Sequence, residues 1–262
     1  MTWNKHTSNS TKLVMALALR LGIIVLVGVQ LISPVQSQSS LSSLSNQLPS
    51  QWEATSGTFQ PPQRGNPDNR QGGGTRSPFQ NCIQGNKGLV ALVPTSGVNS
   101  TVAAYPTFFW YLPTNSASAL EFVLQDEKGQ EVYLTKFTLT KSARGFMSLQ
   151  LPALAGLSPL EKNTIYHWYV SLICNPEERA ADRLVEGFIS RVDLNPNVAS
   201  QSQRATPQER VAIYAEARLW QDTLNSLAEL RRLNPQDPSL VDAWKKLLGS
   251  VGLEAIAEEP LI

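Results

Sequence analysis

The chain has 262 residues, a formal net charge of +1 and 42% hydrophobic residues. That length suits one sizeable domain plus a smaller one, and so small a charge supplies no field for nucleic acid or an acidic membrane surface. No Gly-x-Ser-x-Gly elbow, His-Glu-x-x-His pair or Walker glycine loop occurs, so no familiar catalytic class is written into the sequence.

The N-terminus reads as an export signal. Lys5, Lys12 and Arg20 precede any acidic residue, the first of which is Glu53. Leu21 to Ile32 is an apolar run of 12 residues, the length of a signal-peptide core. Val35-Gln36-Ser37 places small residues where a signal peptidase cuts, so residues 1–37 are expected to be a signal peptide and the mature protein to be periplasmic or extracellular. The alternative is an uncleaved membrane anchor. Leu13 to Ile32 spans 20 residues, but Arg20 would cost ~2.5–3.5 kcal/mol at the bilayer centre. Residues 38–62, rich in Ser and Gln, read as a flexible linker too polar to offset the entropy of ordering.

Residues 63–195 are expected to form a β-sandwich with a glycine-rich strap at its start. In the strap, Arg64, Arg70 and Arg76 recur around Gly72, Gly73 and Gly74. Two readings stay open. The glycines and guanidinium forks would suit an anion-binding nest, or the segment is an irregular strap along the domain with its arginines paired to surface acids. It is not a P-loop, because no Gly-Lys-Ser/Thr follows.

Strand-like runs follow: Leu89 to Val93, Thr107 to Leu112, Leu120 to Leu124, Glu131 to Leu139, Phe146 to Leu151, Thr164 to Cys174 and Leu184 to Val192. Asp126-Glu127-Lys128-Gly129 supplies the hairpin turn between the third and fourth. Such a series without helical periodicity predicts an antiparallel, immunoglobulin- or fibronectin-like sandwich of Greek-key type. Thr164 to Cys174 is expected to be its central strand, with Tyr166, Trp168, Val170, Leu172 and Cys174 on one face and His167, Tyr169, Ser171 and Ile173 on the other. Trp110, Tyr166 and Trp168 are the expected core aromatics. Leu160, six residues before Tyr166, gives the spacing of a tyrosine corner.

The two cysteines, Cys82 and Cys174, are expected to form a disulfide in an exported protein. Asn175-Pro176-Glu177-Glu178 reads as a helix start of one or two turns. Glu177, Glu178 and Asp182 fit a capped, solvated turn better than a metal site, so no metal and no cofactor are expected. His167 is a lone strand histidine, and no catalytic residue is assigned.

After a linker over 196–205, residues 206–262 read as helical. Thr206-Pro207-Gln208-Glu209 is a capping box, and Val211, Tyr214, Ala215 and Leu219 share a face. A second helix covers about Asp222 to Leu233, and a third is capped by Asp237-Pro238 and runs to about Leu248. Tyr214, Trp220, Leu224, Leu227 and Leu230 are the candidate helix-docking face. Tyr214, Leu227 and Pro235 stand at tetratricopeptide spacing, so this part resembles one degenerate repeat, which must dock either on the sandwich or on a helical partner.

Several stretches together resemble the cyanobacterial domain-of-unknown-function family 928. They are Arg64-Gly65-Asn66-Pro67 leading to Gly72-Gly73-Gly74-Thr75-Arg76, Leu89 to Pro94, Tyr166-His167-Trp168-Tyr169 through Cys174-Asn175-Pro176, and Glu186 to Val192. Tyr214-Ala215-Glu216-Ala217 with Trp220, and Leu227-Ala228-Glu229-Leu230, complete the match over roughly residues 60 to 262. The resemblance implies an exported protein and carries over no activity. The expectation is a non-catalytic binding or interaction module of the cell envelope, with an anionic ligand or protein partner, no nucleic acid, and membrane contact only through an uncleaved N-terminus. The alternatives are a structural part of an envelope or secretion assembly and, less favoured, an enzyme.

Overall fold

The computed structural model of the chain describes residues 48, 70–71, 82–95, 97–140, 142–154 and 156–262. The expected signal peptide, the linker over 38–62 except for Leu48, and the strap residues Arg64, Gly72, Gly73, Gly74 and Arg76 lie outside them.

Among the described residues, eight strands form two sheets. They are β1 (Val90–Ala91), β2 (Asn99–Thr101), β3 (Thr107–Leu112), β4 (Ala119–Gln125), β5 (Glu131–Thr138), β6 (Gly145–Gln150), β7 (Ile165–Ile173) and β8 (Arg183–Arg191). The smaller sheet runs β1-β3-β6 and the larger β2-β8-β7-β4-β5, so β7 is central. The expectation of a wholly antiparallel arrangement is corrected here, because β2 pairs with β8 in parallel. β2 consists only of Asn99-Ser100-Thr101, too short and polar to read as a strand.

One apolar cluster fills the space between the sheets. Phe108, Trp110 and Leu112 of β3 meet Leu120, Phe122 and Leu124 of β4 and Trp168, Val170 and Leu172 of β7. The Phe108 ring lies 4.9 Å from Phe122 and 5.3 Å from Trp168. Gly187 of β8 makes room for this packing, since a Cβ there would sit 2.9 Å from the Trp168 indole. The Glu161 N–H donates to the Tyr166 hydroxyl (3.0 Å), tying the start of β7 to the loop before it. In the β4–β5 turn, the Lys128 and Gln130 N–H groups donate to Asp126 Oδ1, and Gly129 takes φ +76°.

Cys82 and Cys174 form a disulfide with Cα atoms 5.3 Å apart, joining the segment before β1 to the end of β7. Asn175-Pro176 does not open an α-helix. Asn175 caps a turn, with the Glu177 N–H donating to its Oδ1, and only a 3-10 helix, Arg179–Ala181, follows. β8 begins at Arg183 and leaves no length for more.

Four helices follow: α1 (Pro196–Arg204), α2 (Pro207–Glu216), α3 (Trp220–Leu233) and α4 (Pro238–Gly249). The expected linker over 196–205 is therefore corrected. Asn195 caps α1 by accepting from the Asn197 N–H, with Pro196 at the first position. The capping box at Thr206 and Glu209 is formed in both directions, and Asp237 caps α4. Among the described residues no helix is long and apolar enough to cross a membrane.

The helices form a third layer on the back of the small sheet. β3 reads Thr-Phe-Phe-Trp-Tyr-Leu without alternation because both of its faces are covered. Val90, Leu92, Phe109, Tyr111 and Phe146 belong to a second cluster with Val211, Trp220, Leu224, Leu227, Trp244 and Leu247. The rings of Phe146 and Trp244 meet edge to face at 5.1 Å. The chain end adds to this layer: the Phe146 N–H donates to the Pro260 carbonyl (2.7 Å) and the Ile262 N–H to the Phe146 carbonyl (3.0 Å), beside β6.

Three consecutive side chains of α3 fasten the layers. Trp220 Nε1 donates to the Leu92 carbonyl (2.9 Å), Gln221 Nε2 to the Thr107 carbonyl, and Asp222 Oδ2 accepts from the Val102 N–H (3.1 Å). Burial raises the Asp222 carboxyl to a pKa of about 6, against the Val102 and Thr101 hydrogen bonds, which favour the anion. A carboxyl raised above its unfolded value stabilises the fold fully below the unfolded pKa and loses that contribution as pH rises through the folded pKa. We expect the stability of the wild type relative to Asp222→Asn to rise by about 2–3 kcal/mol from about pH 7 to about pH 4. Denaturant melts of both proteins across that range test this. A difference that does not vary with pH would contradict it.

Candidate functional site

The outer face of the larger sheet gathers the polar and aromatic groups that the core does not use. Along β7 these are the residues of the opposite parity to Trp168, including Ile165, His167 and Tyr169. Antiparallel register sets Phe188 of β8 opposite His167 and Glu186 opposite Tyr169. On the other side, Gln125 of β4 lies opposite His167, Val123 opposite Tyr169 and Glu121 opposite Ser171. β5 adds Leu134 opposite Val123 and Lys136 opposite Glu121.

The imidazole is held on both sides. His167 Nε2 donates to Glu186 Oε2 (2.8 Å), and its ring stacks on Phe188 with centroids 4.6 Å apart. The Tyr169 ring lies 5.7 Å from His167, and Gln125 Nε2 donates to its hydroxyl (3.3 Å). Partial burial raises the Tyr169 hydroxyl above its ordinary pKa, and the charges of Glu131 and then Glu121 add to the effect. Arg179 closes one end, with Nη2 2.8 Å from Glu121 Oε1, and its Nε also donates to Asp182. Those two hydrogen bonds raise the Arg179 pKa, so the guanidinium stays charged at any ordinary pH.

This face offers fixed aromatic edges, carboxylates and a cation, together with exposed aliphatic carbon at Leu134 (46%) and Ile165 (40%). Such a mixture suits non-covalent recognition: aromatic and aliphatic groups supply contact area, and the charges supply orientation. The histidine is held in place by Glu186 and Phe188. Among the described residues, no group of three or more His, Cys, Asp and Glu side chains could hold a metal ion. Glu177 and Glu178 are exposed, and Asp182 takes the Arg179 bond.

The other residues singled out in the sequence fall elsewhere. Trp110 and Trp168 are fully buried between the sheets, and Tyr166 is buried beside them. Arg70 is the one arginine of the strap among the described residues. It is buried, and its Nη2 donates to the Val251 carbonyl (2.7 Å), while its own carbonyl accepts from the Ala91 N–H (2.9 Å). Burial lowers its pKa to about 10, with Glu254 opposing. Arg70 therefore ties the edge of the small sheet to the helical layer and does not face an external anion. Trp220, Leu224, Leu227 and Leu230 are buried against the small sheet, whereas Tyr214 is half-buried and stands outside that cluster.

Phe188, Glu186, Gln125 and Arg179 were not foreseen as site residues. The alternation Leu184, Glu186, Phe188, Ser190 along β8 was the available signal, because it turns a phenylalanine away from the core face carrying Val185 and Ile189.

A family model described as Domain of Unknown Function (DUF928) matches residues 71–261. No curated protein matches the chain. Among solved structures, the solution structure of the fn3 domain of human collagen alpha-1(XX) chain is similar at 13% identity and a TM-score of 0.25, over 46% of this chain and 93% of that one. At that score the likeness carries no argument.

Proposed function

We propose that this chain, which belongs to the DUF928 family, is an exported binding module of the cell envelope that recognises its partner non-covalently through the outer face of the larger sheet. In this reading the two sheets are an immunoglobulin- or fibronectin-like sandwich, and α2 with α3 is a single tetratricopeptide-like hairpin. The missing neighbours of that hairpin are replaced by the back of the small sheet. One observation carries the proposal: the apolar helix faces are already covered by Val90, Leu92, Phe109, Tyr111 and Phe146, while Phe188, His167 and Tyr169 stay half-exposed among carboxylates. The basic and apolar N-terminus and the Cys82–Cys174 disulfide support export to an oxidising compartment.

The test is capture from a periplasmic extract by the wild type and by the double variant His167→Ala/Phe188→Ala. Both positions lie on the solvent face, so the variant is expected to stay folded with a loss of about 1–2 kcal/mol. It should also lose a partner that the wild type retains. Equal capture by a folded variant would contradict the proposal, and a turnover abolished by His167→Ala would replace it with an enzyme.

A second reading, a structural part of an envelope or secretion assembly, is favoured by β5. That strand lies at the sheet edge with Leu134 exposed, where another chain could add a strand.

A further inference from the structure

Where β8 ends and the chain turns into α1, a cleft of about 300 Å³ opens against the turn between α2 and α3. Val192, Leu194 and Val198 line it with aliphatic side chains, and Ser100, Asp193 and Arg218 are among its polar lining residues. Asp193 is paired with Lys162, which answers its charge. Arg218 is exposed and takes part in none of the ion pairs among the described residues. The N-terminus of α1 borders the same space at Asn195 and adds partial positive charge.

The backbone of Arg218 strengthens the case. It occupies the left-handed position that ends α2, at φ +59°, with its N–H on the Ala215 carbonyl (3.0 Å) and the Leu219 N–H on the Tyr214 carbonyl (2.9 Å). Helices ordinarily end there in glycine, which avoids the steric cost of a Cβ. Among the described residues the other non-glycine with positive φ is Asn163, a residue type that tolerates that conformation. Stability alone would therefore choose glycine at 218, and the sequence instead places an arginine among the residues that line the cleft.

We propose that this cleft binds a small carboxylate with an apolar body. The Arg218 guanidinium takes the carboxylate, whose two oxygens match its planar fork, and the Val192–Leu194–Val198 wall covers the hydrocarbon. The volume lies at the low end of ligand pockets, which keeps the ligand small. This site is separate from the outer face of the larger sheet, and each is tested by its own experiment.

The test is an NMR titration of the full chain with N-acetyl-leucine and with N-acetyl-leucinamide, which keeps the apolar body and lacks the charge. The acid is expected to shift the methyl signals of Val192, Leu194 and Val198 and to saturate, and the amide to bind at least about tenfold more weakly. Hexanoate distinguishes the sources of the group. Binding equal to N-acetyl-leucine points to a free organic acid, and much weaker binding points to a peptide C-terminus; both support the carboxylate site. Arg218→Gly separates binding from folding, because glycine relaxes the backbone. We expect it to keep or raise the melting temperature while weakening N-acetyl-leucine at least about tenfold. Unchanged binding in Arg218→Gly, an amide as tight as the acid, or no saturable shift would overturn the proposal. A lowered melting temperature in Arg218→Gly would overturn it too, by making the arginine a structural residue.

Discussion

Deletion of residues 206–262 is expected to leave two sheets that no longer unfold cooperatively. The deletion uncovers Val90, Leu92, Phe109, Tyr111 and Phe146, all of which lie in the cluster shared with the helices. Each such side chain is worth about 1.5–3 kcal/mol when buried, so the loss is roughly 7–15 kcal/mol. That equals the whole stability of an ordinary domain, about 5–15 kcal/mol. It also removes the Trp220 bond to the Leu92 carbonyl and the Asp222 acceptor of the Val102 N–H. The fragment should aggregate or bind hydrophobic dyes, and its thermal transition should be broad or missing. A fragment melting sharply at the temperature of the full chain would mean that the helices contribute nothing to the sheets. The single-residue version is Trp220→Ala, expected to cost about 3–5 kcal/mol. Leu233→Ala is its control: that leucine is 78% exposed at the end of the same helix and should change stability by less than about 0.5 kcal/mol.

Replacing both cysteines by serine is expected to lower stability by about 4–5 kcal/mol, because the crosslink closes a long loop in the unfolded chain. The bonded residues are 92 apart in sequence. Without the bond, the segment around Cys82 keeps its hydrogen bonds, with the Ser116 N–H donating to the Cys82 carbonyl and the Gln84 N–H to the Thr114 carbonyl, each at 2.8 Å. Urea unfolding of Cys82→Ser/Cys174→Ser, and of the wild type with and without reductant, measures the effect. The variant and the reduced wild type should agree, both well below the oxidised protein. Equal midpoints for all three would contradict the prediction.

The strands that the sequence announced are those whose side chains alternate or run wholly apolar. β3, β4, β5, β6, β7 and β8 lie within a residue or two of the expected runs, because burial on one or both faces dictates their composition. β2 escaped because Asn99-Ser100-Thr101 owes its extended form to its parallel partner β8 and to α3 above it, and a local pattern cannot report a distant partner. α1 escaped for a different reason. Its Ser- and Gln-rich composition resembles a linker, yet Asn195-Pro196 carries the same cap-and-proline signature as Asp237-Pro238. Asn175-Pro176 carries that signature too and yields only a turn, so the signature marks a start and the length available to the next element decides the outcome.

The candidate site was half legible. The outward parity of His167 and Tyr169 follows from the strand itself, whereas Phe188, Glu186 and Gln125 reach them only through register. The even spacing of the arginines in the strap suggested a common role, but Arg70 is buried on the Val251 carbonyl, a contact between residues far apart in sequence. The continuous apolar run of β3 held more than was read from it: a strand covered on both faces requires a layer behind it, and the helices are that layer.

The C-terminal helices are the third layer of the β-domain and are not an arm kept free for a helical partner. A nuclear Overhauser spectrum of the full chain, recorded on freshly exchanged protein, tests it directly. Cross-peaks are expected between the ring protons of Trp244 and Phe146, whose centroids are 5.1 Å apart, together with a slowly exchanging Trp220 indole N–H bonded to the Leu92 carbonyl. Rapid exchange at Trp220 with no Trp244–Phe146 cross-peak, in a protein whose β-sheet amides remain protected, would contradict it.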